Sequence, residues 1–92
     1  MSVAARLIIT GQVQGVGFRV FVCHEALARG VRGWVRNRAN GSVETLLIGD
    51  TDIVEAMVEV CGYGPAHARV DHVERFAAES DGSRDFTERT TV

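Results

Sequence analysis

Lysine is missing from this chain of 92 residues, and all ten basic side chains are arginine. Without lysine there is no Schiff-base amine, no lysine general base and no lysine cation for a nucleotide phosphate loop. Cysteine is scarce. Cys23 and Cys61 form no Cys-x-x-Cys, and neither stands at metal-ligand spacing from His24, His67 or His72. Structural zinc needs four clustered ligands, so no metal site is expected. The two thiols read as buried small hydrophobes or, alternatively, as a disulfide. No apolar run approaches the ~20 residues needed to span a bilayer. The N-terminus carries Arg6 but no signal-peptide apolar region or cleavage site. These absences lead to a cytoplasmic protein with no membrane association. Repeats, linkers and low-complexity stretches are also absent, so residues 1–92 are expected to form one domain.

What is present is enough apolar sequence for a core, at 46% of residues, and a lopsided charge. Residues 1–43 set six arginines against Glu25, a balance of +5, whereas residues 44–92 carry −7. A basic half within a chain of net charge −2 suits the steering of a small anion. The same net acidity argues against a nucleic-acid partner, since such domains are usually basic.

Hydrophobic spacing sets out the elements. Ala5–Ile9 is a strand candidate, and Phe18–Arg29 has helical periodicity that Gly30 ends. Val31–Asn37 alternates as a strand, with Val31, Gly33, Val35 and Asn37 on one face and Arg32, Trp34 and Arg36 on the other. Asn40-Gly41 signals a hairpin returning along Ser42–Ile48. Asp50-Thr51-Asp52 offers N-caps for a second helix in which Ile53, Met57 and Val60 recur, with Gly62 as its stop and Pro65 beyond. Ala68–Phe76 is a further strand, and Phe86–Val92 is either a short edge strand or a tail. The order β-α-β-β-α-β predicts an α+β, ferredoxin-like split βαβ sandwich: an antiparallel sheet with two helices on one face.

Two segments carry candidate chemistry. The first is Gly11-Gln12-Val13-Gln14-Gly15-Val16-Gly17-Phe18-Arg19, between the first strand and the first helix. Glycines at a strand-to-helix turn leave backbone N–H groups unpaired and convergent, which is a seat for an anion. Arg19 adds a permanent charge and a planar fork of donors. The bland alternative is a turn whose glycines only supply positive φ. Gly-x-Gly-x-x-Gly is excluded because Val20 stands where its third glycine should be, and no Gly-Lys-Ser/Thr exists. The second segment is Gly33-Trp34-Val35-Arg36-Asn37, followed by Gly41, Val43 and Gly49. The Asn37 carboxamide can both accept and donate, so it can hold a water in a fixed direction or merely shape the turn. In a split βαβ sheet its strand can bring it near the loop after the first strand.

At these residues the chain resembles the acylphosphatase family. One signature reads Ile9-x-Gly11-x-Val13-Gln14-Gly15-Val16-x-Phe18-Arg19, and the other Gly33-Trp34-Val35-Arg36-Asn37-x-x-x-Gly41-x-Val43, closing at Gly49. The stretch Gly64–Glu74 also looks like the family's approach to its later strand, so the resemblance covers about residues 5–76. It implies hydrolysis of a small acyl phosphate to carboxylate and phosphate, without metal or cofactor, by a ferredoxin-like monomer. It further implies that Arg19 and the loop Gln14, Gly15, Val16, Gly17, Phe18 and Arg19 bind phosphate, while Asn37 orients the attacking water.

The remaining candidates are weaker. Trp34 on a sheet face is read as packing rather than as a substrate stack, and the three histidines receive no role. Arg36 and Arg38 either raise the local potential or form a solvated face. Ser42 has no base beside it. A non-catalytic anion-binding module is the alternative function. An RNA-binding sheet fails because its glycine-aromatic pattern would lie on the third strand, not after the first. The polar ending Asp85–Arg89 departs from the family's aromatic-rich last strand and is expected to stay clear of the site.

Overall fold

The computed structural model describes residues Met1–Val92. Its elements are β1 (Ser2–Gln12), α1 (Phe18–Arg29), β2 (Arg32–Asn37), β3 (Val43–Asp50), α2 (Thr51–Tyr63), β4 (Arg69–Ala78) and β5 (Phe86–Glu88). The five strands lie in the order β4-β1-β3-β2-β5. Among β1 to β4 every pairing is antiparallel, as the expected split βαβ order requires. The edge or tail left open at Phe86–Val92 resolves into a three-residue strand, and it joins β2 in parallel. The sheet is therefore antiparallel in its first four strands and parallel at this one edge.

The helices form where their apolar spacing allows one face to be buried. Phe18, Val22 and Ala26, at successive i, i+4 positions, are the buried residues of α1. Val54, Met57 and Cys61 play the same part in α2. Gly30 ends α1 as expected, its N–H donating to the carbonyls of Ala26 and Leu27. The second stop falls later than the expected Gly62: α2 runs on to Tyr63, and Gly64 closes it by donating to the Val60 carbonyl. Asp50 stands at the N-cap of α2, but its side chain makes no cap bond. It lies instead 4.0 Å from the N-terminal ammonium. No helix is long and apolar enough to cross a membrane.

Both helices pack on one face of the sheet. The main core joins their buried residues to Ala5, Leu7 and Ile9 of β1, Val35 of β2, Val43 and Leu47 of β3, and Phe86 of β5. The other face holds a smaller cluster of Trp34, Leu46 and Ile48. Buried on both sides, β3 loses the alternation of a half-exposed strand, and every residue from Val43 to Gly49 is buried.

That second face is closed by charged side chains. Glu44, 8% exposed, accepts from Arg6 Nη1 at 2.8 Å and from Arg36 Nε at 2.8 Å. Arg36 and Arg89 both lie over the Trp34 ring, 4.6 and 4.9 Å from its centroid. The indole N–H donates to Asp81. Trp34 is thus packing, and Arg36 is an ion-pair partner rather than a free cation.

Burial pushes the Glu44 carboxyl upward, but hydrogen bonds from Arg36 and Arg6, with their charges, outweigh it and hold the group below its ordinary 4.5. A carboxyl depressed on folding stabilises the native state above its unfolded pKa, and the contribution fades as pH falls through the folded value. Glu44→Gln is expected to cost about 1.5–3 kcal/mol near neutral pH, because two charged donors lose their acceptor. In urea unfolding at pH 7 and pH 3, the gap between wild type and variant should narrow in acid. An equal gap at both values would contradict this account.

Candidate functional site

The loop from Val13 to Gly17 leaves the end of β1, which is hydrogen-bonded on both sides to β3 and β4. Gly15 and Gly17 hold φ of 73° and 77°. A side chain in that left-handed region costs roughly 1–2 kcal/mol. A Cβ at either position would meet nothing within 4 Å, so backbone conformation, not space, calls for glycine. Gly17 is also the N-cap of α1, and no side chain caps this helix.

The main-chain donors here are therefore free. The N–H groups of Gly15, Val16 and Gly17 find no backbone acceptor. Those of Phe18, Arg19 and Val20 lie in the first turn of α1, where no intrahelical carbonyl can reach. Arg19 lies in the same turn, which contains no acidic residue. A cation beside the positive end of a helix dipole is unfavourable for folding and is compensated by a bound anion.

Of the residues that carry these groups, all but Val16 line a cavity of about 120 Å³, whose walls are Val13, Gly15, Gly17, Phe18, Arg19, Val20, Asn37 and Glu88. Arg19 and Asn37, predicted from separate segments, are thus brought together. Asn37 Oδ1 is the one buried side-chain nitrogen or oxygen in the molecule without a hydrogen-bond partner. Burying such an atom unpaired costs about 1–3 kcal/mol. Asn37 lines the cavity, so the side chain that carries this unspent acceptor is the one a ligand there would meet.

Two loop residues of the predicted set, Gln14 and Val16, do not line the cavity. Gln14 has a different task. Its Nε2 donates to the carbonyls of Arg38 at 2.7 Å and Ser42 at 2.8 Å, tying the loop to the β2–β3 hairpin just beyond Asn37. Ser42 is buried, with its hydroxyl donating to Asn40 Oδ1 at 2.6 Å, which leaves it unfit as a nucleophile.

The sequence reading missed Glu88. The C-terminal segment does not stay clear of the site: Glu88 lines the cavity, and its Oε1 lies 3.9 Å from Arg19 Nε. Position was the missing signal, because only the parallel β2–β5 pairing brings Glu88 opposite Val35 and onto the helix side of the sheet. Both cysteines are free. Burial pushes the Cys61 thiol up to about 12, and burial followed by the charge of Glu88 raises that of Cys23. Nowhere do three or more His, Cys, Asp or Glu side chains gather as a metal site.

The sequence profile of the acylphosphatase family matches residues 5–88. An acylphosphatase of Azorhizobium caulinodans is 46% identical over 80 residues, spanning 87% of this chain and 86% of that protein. One from Nitrobacter hamburgensis is 54% identical over 73 residues, spanning 79% of this chain and 74% of its own length. The crystal structure of acylphosphatase from Bacillus subtilis superposes with a TM-score of 0.90 at 37% identity, covering 97% of this chain and 99% of that one.

The Gln14 tether is testable by stability. Gln14→Ala should cost about 1–2 kcal/mol in urea unfolding, the loss of two hydrogen bonds to half-buried carbonyls. Gln14→Glu should cost more at neutral pH, because a carboxylate cannot donate to either carbonyl. A glutamate variant as stable as wild type would show that the tether contributes nothing.

Proposed function

The chain belongs to the acylphosphatase family, and we propose that it hydrolyses the carboxyl–phosphate bond of a small acyl phosphate with Arg19, the loop amides and Asn37 and without a metal. The observation that carries this reading is the meeting, in one cavity, of an uncapped helix start bearing Arg19 and of Asn37, whose amide oxygen has no partner in the protein.

The substrate phosphate sits against the N–H groups of Gly15 to Val20, with the Arg19 guanidinium on its oxygens. Asn37 Oδ1 accepts a hydrogen bond from a water and points its lone pair at phosphorus. The water attacks in line, the bond from phosphorus to the acyl oxygen breaks, and the carboxylate leaves with the electron pair. The attacking water's proton passes to a phosphate oxygen. A carboxylate is already a stable leaving anion, so no strong general acid is needed. Positioning and fixed positive potential carry the rate. The loop amides serve where other phosphate sites place lysine or a divalent cation. Two free thiols fit the reducing cytoplasm, and the proposal includes a monomeric protein there.

Arg19→Ala should lower kcat/KM by roughly 10²–10³, with much of the loss in KM, since its charge serves both ground and transition states. Asn37→Ala should lower kcat by roughly 10²–10³ with little change in KM, since it acts on the water. Benzoyl phosphate hydrolysis in EDTA, with circular dichroism confirming the fold, checks both. A metal requirement, or an asparagine variant of unchanged kcat, would refute the scheme. The pH profile of kcat should show no controlling enzyme group near pH 6, because the proton goes to substrate.

A further inference from the structure

Glu88 is the one carboxylate among the side chains that line the cavity, and it lies outside both signature segments. Its place is set by backbone. It pairs with Val35 in the parallel ladder, and the next residue, Arg89, donates its N–H to the Val35 carbonyl at 2.8 Å. Two positions earlier on the same face, Phe86 is buried in the main core and anchors the strand. The carboxylate therefore cannot drift far from α1. At 3.9 Å from Arg19 Nε it is close enough for charge attraction but too long for a hydrogen bond. Both side chains remain partly exposed, 36% for Arg19 and 42% for Glu88. Such a pair is weak and readily exchanged.

We propose that Glu88 is a resident counter-anion of the phosphate seat: it neutralises Arg19 while the cavity is empty and weakens the hold on phosphate once the cavity is filled. The inference rests on the phosphate-binding reading above and deepens it. An empty seat with a cation at a helix N-terminus and no acid in the first turn is electrostatically costly, and Glu88 supplies the missing negative charge across the cavity. A phosphate that takes Arg19 leaves two like charges facing each other. The repulsion is greatest for bound substrate and for the inorganic phosphate product. It eases as charge moves from the phosphoryl group to the departing carboxylate. Glu88 thus weakens ground-state binding and speeds product release without stabilising the reacting atoms, which makes it a positioning and selectivity residue.

The test is calorimetric titration of the intact chain with inorganic phosphate, followed by steady-state hydrolysis of benzoyl phosphate. Wild type, Glu88→Gln and Glu59→Gln are compared. Glu59 is an exposed residue of α2 outside the cavity, so its variant removes the same charge elsewhere. Glu88→Gln should bind phosphate roughly three- to tenfold tighter, the size expected of one screened charge. Its KM should fall in parallel and its kcat should not rise, while Glu59→Gln matches wild type. If wild type binds phosphate and Glu88→Gln binds no tighter, the role of Glu88 is overturned and the phosphate seat stands. Equal tightening by Glu59→Gln would also overturn it, in favour of net charge. If neither wild type nor Glu88→Gln binds phosphate or turns over substrate, the reading of the site falls and the inference with it. Thermal melts accompany each protein, and Glu88→Ala replaces Glu88→Gln if the latter fails to fold.

Discussion

The rest of the structure depends on β1 being paired along both edges. Bonded to β3 on one side and β4 on the other, it cannot shift without breaking two ladders. The double pairing runs to Ile9, and β4 alone carries the last residues, Thr10 to Gln12, from which the loop leaves. From there two glycines with positive φ turn the chain into α1 with its amide donors unspent. The stiffness of the site is inherited from the sheet.

The cavity is walled from a second direction. Asn37 ends β2, and β2 is placed by its pairing with β3, which is itself paired with β1. The loop and Asn37 thus share a single frame of hydrogen-bonded strands, and the Gln14 side chain ties them again at the hairpin. The C-terminal segment adds a third tie. Ala39 donates to the Val92 carbonyl and Val92 to the Asn37 carbonyl, so the chain end closes over the strand that carries Asn37. Preorganisation of this kind is what a reaction driven by positioning and potential requires.

Charge is divided between the two faces of the sheet. On the face away from the helices, three arginines are matched: Arg6 and Arg36 share Glu44, and Arg89 lies 3.6 Å from Asp81. On the helix face, Arg19 has only the long contact to Glu88. Among the arginines that make ion pairs, the one with the longest contact is the one at the cavity.

The amino-acid sequence determined the local elements. Phe18–Arg29 is legible because its apolar residues recur at helical spacing and Gly30 supplies the left-handed cap, and both ends agree with the structure. The order of strands and helices follows from the same periodicities, and Arg19 and Asn37 follow from the signatures that resemble the family. Ends set by pairing were less legible. β1 extends to Ser2–Gln12 beyond the apolar run Ala5–Ile9, because ladder hydrogen bonds accept polar residues as readily as apolar ones. Only the tertiary structure decided the parallel docking of Phe86–Glu88 on β2, the Gln14 tether and the presence of Glu88 at the cavity. Each of these joins residues more than twenty positions apart through backbone carbonyls or a single carboxylate. Every residue carries a carbonyl, so no pattern of side chains along the chain can mark which one will be used.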